Sequence, residues 1–264
     1  MDWLQIIVLG LVQGITEFLP ISSSAHLVLP SLLTDWPDQG LAFDVGVHFG
    51  TLLAVLLYFR NDLSAMFLSV ARYPGTRHYD EHVDMVLKLG LATLPVVVTG
   101  FIAKDFIEGN LRTIPVIAST TILFGLALWW SDRRPGDAQS VAWSHAALIG
   151  IAQTFALIPG TSRSGVTITA ALLLGLSRTS ASRFSFLLAI PTIAGAQLLL
   201  MLDLTTTGID RGAELLAGAL ISGFSAYACI SAFISLVERT GMLPYVIYRG
   251  LLGLALVAFW LSLN

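Results

Sequence analysis

Long apolar runs alternate along this chain with short polar interruptions, and two of the runs are broken by a helix-stopping dipeptide or proline. Residues 41–60, 84–103 and 114–130 each come close to the roughly 20 predominantly apolar residues of a membrane-spanning helix, as do 182–202, 213–236 and 244–262. Two other stretches do not fit a simple span. Residues 3–19 carry Gln13, Thr16 and Glu17 and stop at Pro20; Ser22, Ser23, Ser24 and His26 follow, then a short apolar run to Leu33. Residues 143–158 stop at Pro159-Gly160; Thr161, Ser162, Arg163, Ser164 and Thr167 follow before the apolar sequence resumes to Leu176. Each arm is too short or too polar to cross alone, which predicts two re-entrant helical hairpins. Pro159 and Gly160 end a helix, and Thr161 or Ser162 can cap the next. Between the spans, 62–82 reads as a partly amphipathic piece followed by a polar loop from Arg72 to His82. Pro95 predicts a kink, Lys104 to Arg112 a polar connection, and Trp129-Trp130 an interfacial end.

The pattern repeats. Sliding the chain by 140 residues sets Gly10 on Gly150, Gln13 on Gln153, Ser22 on Ser162 and Ser24 on Ser164. The plan is a hairpin and three spans, twice: one membrane domain over 1–264, with repeats 1–140 and 141–264. Three spans separate the hairpins, so they enter from opposite faces, an inverted-topology repeat whose broken elements meet near the midplane. The expected fold is an all-α integral membrane protein of about six spans and ten helices. Arg60, Arg72, Arg77, Arg133, Arg134, Arg178 and Arg239 fall on one face, with Lys88 and Arg183 near it; Lys104, Arg112 and Arg211 fall on the other. The first face is therefore expected to be cytoplasmic and both termini outside.

Composition agrees. The chain of 264 residues is 55% hydrophobic and 12% charged, with mean hydropathy +0.80; a soluble domain carries about 25% charge. Continuous apolar runs rather than alternating strands argue against a barrel. A net charge of −3 without a basic tail gives nucleic acid nothing to bind. Cys229 is the one cysteine, so neither an internal disulfide nor a thiolate metal cluster can form. The N-terminus, Met1-Asp2-Trp3, lacks the basic start and cleavage site of a signal peptide and reads as mature sequence.

Chemistry concentrates at the two breaks. An arginine between membrane segments is costly unless it works or snorkels to a headgroup. Beside the free amides of a helix start, Arg163 makes an anion site, and its planar fork matches phosphate oxygens. Ser162, Ser164, Thr167, Gly160 and Thr161 complete one side of the cradle, and Ser22 and Ser24 the other. Gln13 and Glu17, four apart, share a helix face. Ser23 and His26, three apart, offer a nucleophile and its base. Asp44 and His48 can line the mouth of the pocket or cap a helix; Arg249 and Glu238 read as interfacial or paired.

The stretch Gln13-Gly-Ile-Thr-Glu17-Phe-Leu-Pro-Ile-Ser-Ser-Ser-Ala-His26, together with Pro159-Gly-Thr-Ser-Arg-Ser-Gly-Val-Thr167, resembles the undecaprenyl-diphosphate phosphatase family, the bacitracin-resistance-type membrane phosphatases. The likeness covers nearly the whole chain. It implies removal of the terminal phosphate of undecaprenyl diphosphate at the bacterial plasma membrane, which recycles the lipid carrier for cell-wall synthesis. It also implies a divalent cation, Mg2+ or Ca2+. Glu17, Ser23, His26 and Arg163 stand at catalytic motif positions, with Gln13, Ser22, Ser24, Gly160, Thr161, Ser162, Ser164 and Thr167 around the substrate and Glu17 as the metal ligand. The family's acidic motif admits Glu or Gln at its first place; here Gln13 leaves Glu17 the only carboxylate. The expected partners are a polyprenyl diphosphate lipid, the bilayer and, as an option, a second copy in a homodimer. The alternative to a hydrolase is a polyprenyl-phosphate transporter or flippase, since inverted repeats with broken helices are typical of carriers.

Overall fold

A computed structural model describes residues 1–34, 36–204 and 212–262, apart from the side chains of residues 32, 33, 104, 108 and 199–204. Arg211, one of the cations used for orientation, lies outside the described residues, as does the side chain of Lys104. The described residues form eleven α-helices and one 3-10 turn: α1 (Trp3–Thr16), α2 (Ser23–Leu33), α3 (Leu41–Tyr58), α4 (Arg60–Thr76), α5 (Glu81–Asn110), α6 (Ile114–Asp132), α7 (Trp143–Gln153), the turn Thr154–Leu157, α8 (Arg163–Leu173), α9 (Arg178–Leu204), α10 (Gly212–Thr240) and α11 (Leu243–Ser262). Five of them, α3, α5, α6, α10 and α11, are long and apolar enough to cross a membrane among the described residues. The sixth expected span, 182–202, falls within the 27-residue helix α9, which is not among those five.

Two local expectations change. The connection expected from Lys104 to Arg112 is helical to Asn110: α5 runs through Pro95 and Lys104 and ends only where Leu111 caps it. The loop expected from Arg72 begins five residues later: α4 runs to Thr76 and ends on Arg77, whose left-handed φ of 53° stops it. Asp80 then starts α5 by accepting from the amides of His82 and Val83. Those amides hold its carboxyl below the usual range.

The packing is that of a membrane protein, with large apolar side chains on the outside as well as in the core and many polar groups buried. Phe101, Ile102 and Phe224 are each 77% exposed, whereas Thr121, Gln153, Ser164, Thr167, Ser182, Ser185 and Ser222 are wholly buried. Small residues let the helices close up. A Cβ at Gly50 would lie 2.0 Å from the Ala219 carbonyl oxygen, and one at Gly150 would lie 2.6 Å from the Ala92 Cα. Helix pairings come in matched sets. Helix α1 packs on α10 as α7 packs on α5, α3 packs on α10 as α9 packs on α5, and α6 packs on α11.

Polar contacts gather the helix ends in two groups. Arg178 pairs with Asp132 at 2.6 Å, Arg183 with Asp62 at 2.8 Å, and Glu238 accepts from the Thr179 amide at 2.8 Å. These bonds bring the ends of α6 and α10 and the starts of α4 and α9 together at one end. The terminal amine of Met1 lies 3.9 Å from Glu214, and Gln5 donates to the Pro37 carbonyl at 2.8 Å, which gathers the starts of α1 and α10 with the loop before α3.

Candidate active site

Both breaks use one backbone device. Ser22 and Ser162 precede α2 and α8 with φ of 76° and 72°, a left-handed conformation that serine rarely adopts. Each hydroxyl meets that of the serine two residues on: Ser22 with Ser24 at 3.3 Å, Ser162 with Ser164 at 3.2 Å. Of the two expected caps for α8, Ser162 serves, accepting from the Gly165 amide at 3.1 Å. Thr161 does not, and its hydroxyl is buried without a hydrogen-bond partner. The second break also leans on α6, where Thr120 donates to the Pro159 carbonyl at 2.6 Å. Gly160, at φ 90°, passes so close to that helix that a Cβ would meet Thr120 Oγ1 at 2.3 Å.

Glu17 ends α1 and is the hub of the site. Its Oε1 takes Arg163 Nη2 at 2.9 Å, an ion pair joining residues 146 apart in sequence. Its Oε2 takes Ser23 Oγ at 2.7 Å and Gln13 Nε2 at 3.0 Å. His48 Nε2, reaching in from α3, lies 3.8 Å from the same oxygen. His48 thus faces the site, while Asp44 is held by Gln39 at 2.9 Å. The pair is almost withdrawn from surroundings, with side-chain exposures of 12% for Arg163 and 7% for Glu17.

The site extends into α8 and α9. Arg163 Nη1 donates to the Ser185 carbonyl at 3.2 Å, and the Ser185 hydroxyl meets that of Thr167 at 2.7 Å. Ser164 donates across to the Leu19 carbonyl at 2.8 Å, tying the second break directly to the first. Gln13, Glu17, Ser23, Arg163, Ser164 and Thr167 therefore belong to one connected cluster.

The expected Ser23–His26 couple does not form. Ser23 gives its hydroxyl to Glu17, and His26 is engaged elsewhere: Nδ1 with the Ser22 carbonyl at 2.6 Å, Nε2 with the Tyr248 hydroxyl at 2.5 Å, its ring stacked on that of Tyr248. A carbonyl can only accept, so in the neutral ring the proton sits on Nδ1 and Nε2 receives the tyrosine proton. Three apart on a helix makes two residues neighbours, but helix geometry does not decide which third partner each prefers.

Sequence reasoning passed over two residues of α11. Nothing in the sequence singles out Tyr248, one tyrosine in an apolar run. Arg249, read as interfacial or paired, is fully buried. It donates from Nη1 to the Pro20 carbonyl at 3.1 Å and from Nη2 to the Gly160 carbonyl at 3.0 Å. Its Nε meets the Thr121 carbonyl at 3.0 Å, and Nη2 that of Thr120 at 3.4 Å. The available signal was a cation six residues inside an apolar run; its nearness to the end of that run made snorkelling the simpler expectation.

This site lies on a chain with known kin. A relative from Alcanivorax borkumensis, an undecaprenyl-diphosphatase, is 54% identical over 267 residues, covering 99% of this chain and 100% of the relative. The family model described as bacitracin resistance protein BacA matches residues 6–255, a stretch that contains both breaks and every residue of the cluster, and the chain belongs to that family.

Proposed function

We infer that this protein hydrolyses undecaprenyl diphosphate to undecaprenyl phosphate and inorganic phosphate. The observation that carries the reading is the buried Glu17–Arg163 pair, assembled from two separate chain breaks. The relative's name supplies the substrate. An anionic diphosphate fits between serine-led helix starts and a guanidinium, while the isoprenoid tail stays among the apolar side chains that face lipid.

The hydrogen bonds support a particular division of labour. In the resting site Arg163 neutralises Glu17. An entering diphosphate offers Arg163 better acceptors, and the carboxylate it releases becomes a base for Ser23. Ser23 Oγ then attacks the terminal phosphorus as its proton passes to Glu17 Oε2. The bond from that phosphorus to the bridging oxygen breaks, and undecaprenyl phosphate leaves. Water attacks the phosphoserine, the P–Oγ bond breaks, and Oγ recovers the proton from Glu17 as dihydrogen phosphate departs. Positioning and charge stabilisation supply the rate, as in other phosphoryl transfers. His26 serves through its bond to the Ser22 carbonyl, which fixes the first turn of α2. Ser162, Ser164, Thr167 and the α8 amides hold phosphate oxygens.

A divalent cation, Mg2+ or Ca2+, fits the donor chemistry. The Glu17 carboxylate and Gln13 Oε1, an oxygen buried without a hydrogen-bond partner, are hard donors of the kind these ions take. Among the described residues no group of three or more His, Cys, Asp or Glu could hold a metal. Phosphate oxygens and water would complete the shell, as is usual for Mg2+. Bound there, the ion would neutralise charge on the transferred phosphoryl group.

The same reading takes the fold as an inverted repeat of two re-entrant hairpins in the bacterial plasma membrane, with termini and pocket on the outer face. The paired positive-φ serines and the matched helix packings support the repeat, and the excess of arginine at one end supports the orientation. Those matched half-helices also favour a carrier as the alternative. Purified protein in detergent, given undecaprenyl diphosphate with and without chelator, separates the two. A phosphatase releases phosphate in the absence of any second compartment and loses that activity with the cation; a carrier releases none.

A further inference from the structure

Arg249 is a buried cation that the hydrolysis scheme does not use. Among the described residues its guanidinium contacts no carboxylate: the hydrogen bonds from Nε, Nη1 and Nη2 all end on backbone carbonyls. Such a group is expensive to bury, and a carbonyl shell repays it only with good geometry. The identity of the carbonyls gives the expense a purpose. Pro20 lies two residues before Ser22, and Gly160 two residues before Ser162. Each carbonyl stands just ahead of a positive-φ serine, where the chain break takes away the ordinary helical acceptor role. One side chain therefore grips the equivalent atom of each break, Nη1 on the first and Nη2 on the second.

We propose that Arg249 is a positioning residue of the phosphatase, a staple that fixes the register between the two breaks and thereby sets Glu17 against Arg163. Glu17 lies three residues before Pro20, and Arg163 three residues after Gly160, so each arm of the staple is three residues along the chain from one member of the pair. The surroundings are shaped for it. A Cβ at Gly125 on α6 would lie 3.2 Å from Arg249 Cβ and 3.3 Å from its Nε, and a Cβ at Gly165 in the first turn of α8 would lie 3.3 Å from Nη1. Two glycines from two helices leave the room that the guanidinium fills. A lysine would keep the charge but lacks the planar fork that reaches both breaks at once.

This inference rests on the phosphatase reading, and its test carries one arm that does not. Purified wild type, Arg249→Lys and Gly125→Ala are compared for phosphate release per folded molecule, with kcat and KM separated, and for hydrogen exchange along the backbone. Misplacing reacting groups by about 1 Å costs up to about a hundredfold in rate. Arg249→Lys should lose tenfold or more in kcat, with KM within about threefold of wild type. Gly125→Ala, which keeps the arginine and crowds it, should lose severalfold in kcat in the same pattern. In Arg249→Lys, exchange should accelerate together in peptides covering 18–24 and 158–164, with the cores of α3 and α10 unchanged. Wild-type kcat in both variants would overturn the proposal, as would protection retained at both breaks in Arg249→Lys. If Arg249→Lys does not fold, Gly125→Ala decides: unchanged kcat overturns the staple. A wild type that releases no phosphate would sink the phosphatase reading, and the exchange arm would still judge the staple.

Discussion

At the scale of single residues, Glu17 carries more of this site than its neighbours do. It accepts from an arginine, a serine and a glutamine and stands opposite a histidine. Glu17→Gln replaces one acceptor oxygen by a donor and leaves Arg163 buried without its counter-ion, so most activity should disappear while the protein still inserts. Ser23→Ala should lose about a hundredfold or more, the scale of a positioned nucleophile or acid–base group. Groups that work as one unit are not additive. Glu17→Gln combined with Ser23→Ala should therefore be hardly worse than the poorer single variant, whereas His26→Ala and Ser23→Ala should combine nearly as the product. A double-mutant cycle on phosphate release checks both; the opposite assignment would restore the serine–histidine couple. The residues of the cluster were legible in the sequence because polar groups inside apolar runs are conspicuous. Their pairing was not. Ser23 sits three residues from His26 but bonds to Glu17 six residues back, across a turn whose path depends on the positive φ of Ser22.

At the scale of helices, apolar run length fixed the number and placement of most elements, because a bilayer demands about 20 residues per crossing. The ends were harder to read. Helix α5 continues through Lys104 to Asn110, and α4 absorbs Arg72 and Pro74, since polar residues alone do not stop a helix. Contact between helices is set by glycines whose role sequence alone cannot show. Gly50 has the Ala219 carbonyl against it, whereas a Cβ at Gly90 would meet nothing within 4 Å. Gly50→Val should force α3 off α10 and lower the melting temperature in detergent, at a cost of about 1–3 kcal/mol or more for overpacking. Gly90→Val should change it little. Equal melting of both variants would mean that α3 and α10 do not pack this closely.

At the scale of the whole molecule, two broken segments far apart in sequence meet to make one polar interior, and the serines that stand 140 residues apart, Ser22 and Ser162, share a positive φ. The two-break plan could be read from the sequence, but not the part of α11 that ties the breaks together, because Arg249 acts on backbone carbonyls and leaves no complementary charge to search for. The arginine-rich end gathers Arg178 and Arg183 beside Asp132 and Asp62. If that end is cytoplasmic, alkaline phosphatase fused after residue 262 should be active and a cytoplasmic reporter silent; the reverse, on inserted protein, would invert the orientation. The most direct test of the account is the initial rate of phosphate release from undecaprenyl diphosphate by wild type and Arg163→Lys, matched for folding. Lysine keeps the charge and loses the fork that binds two oxygens, and a preorganised donor aimed at transition-state charge is worth about 3 kcal/mol. Turnover should fall by about a hundredfold with a smaller change in apparent affinity. Equal turnover would mean that Arg163 merely anchors a helix, and that the pair with Glu17 is not the centre of the chemistry.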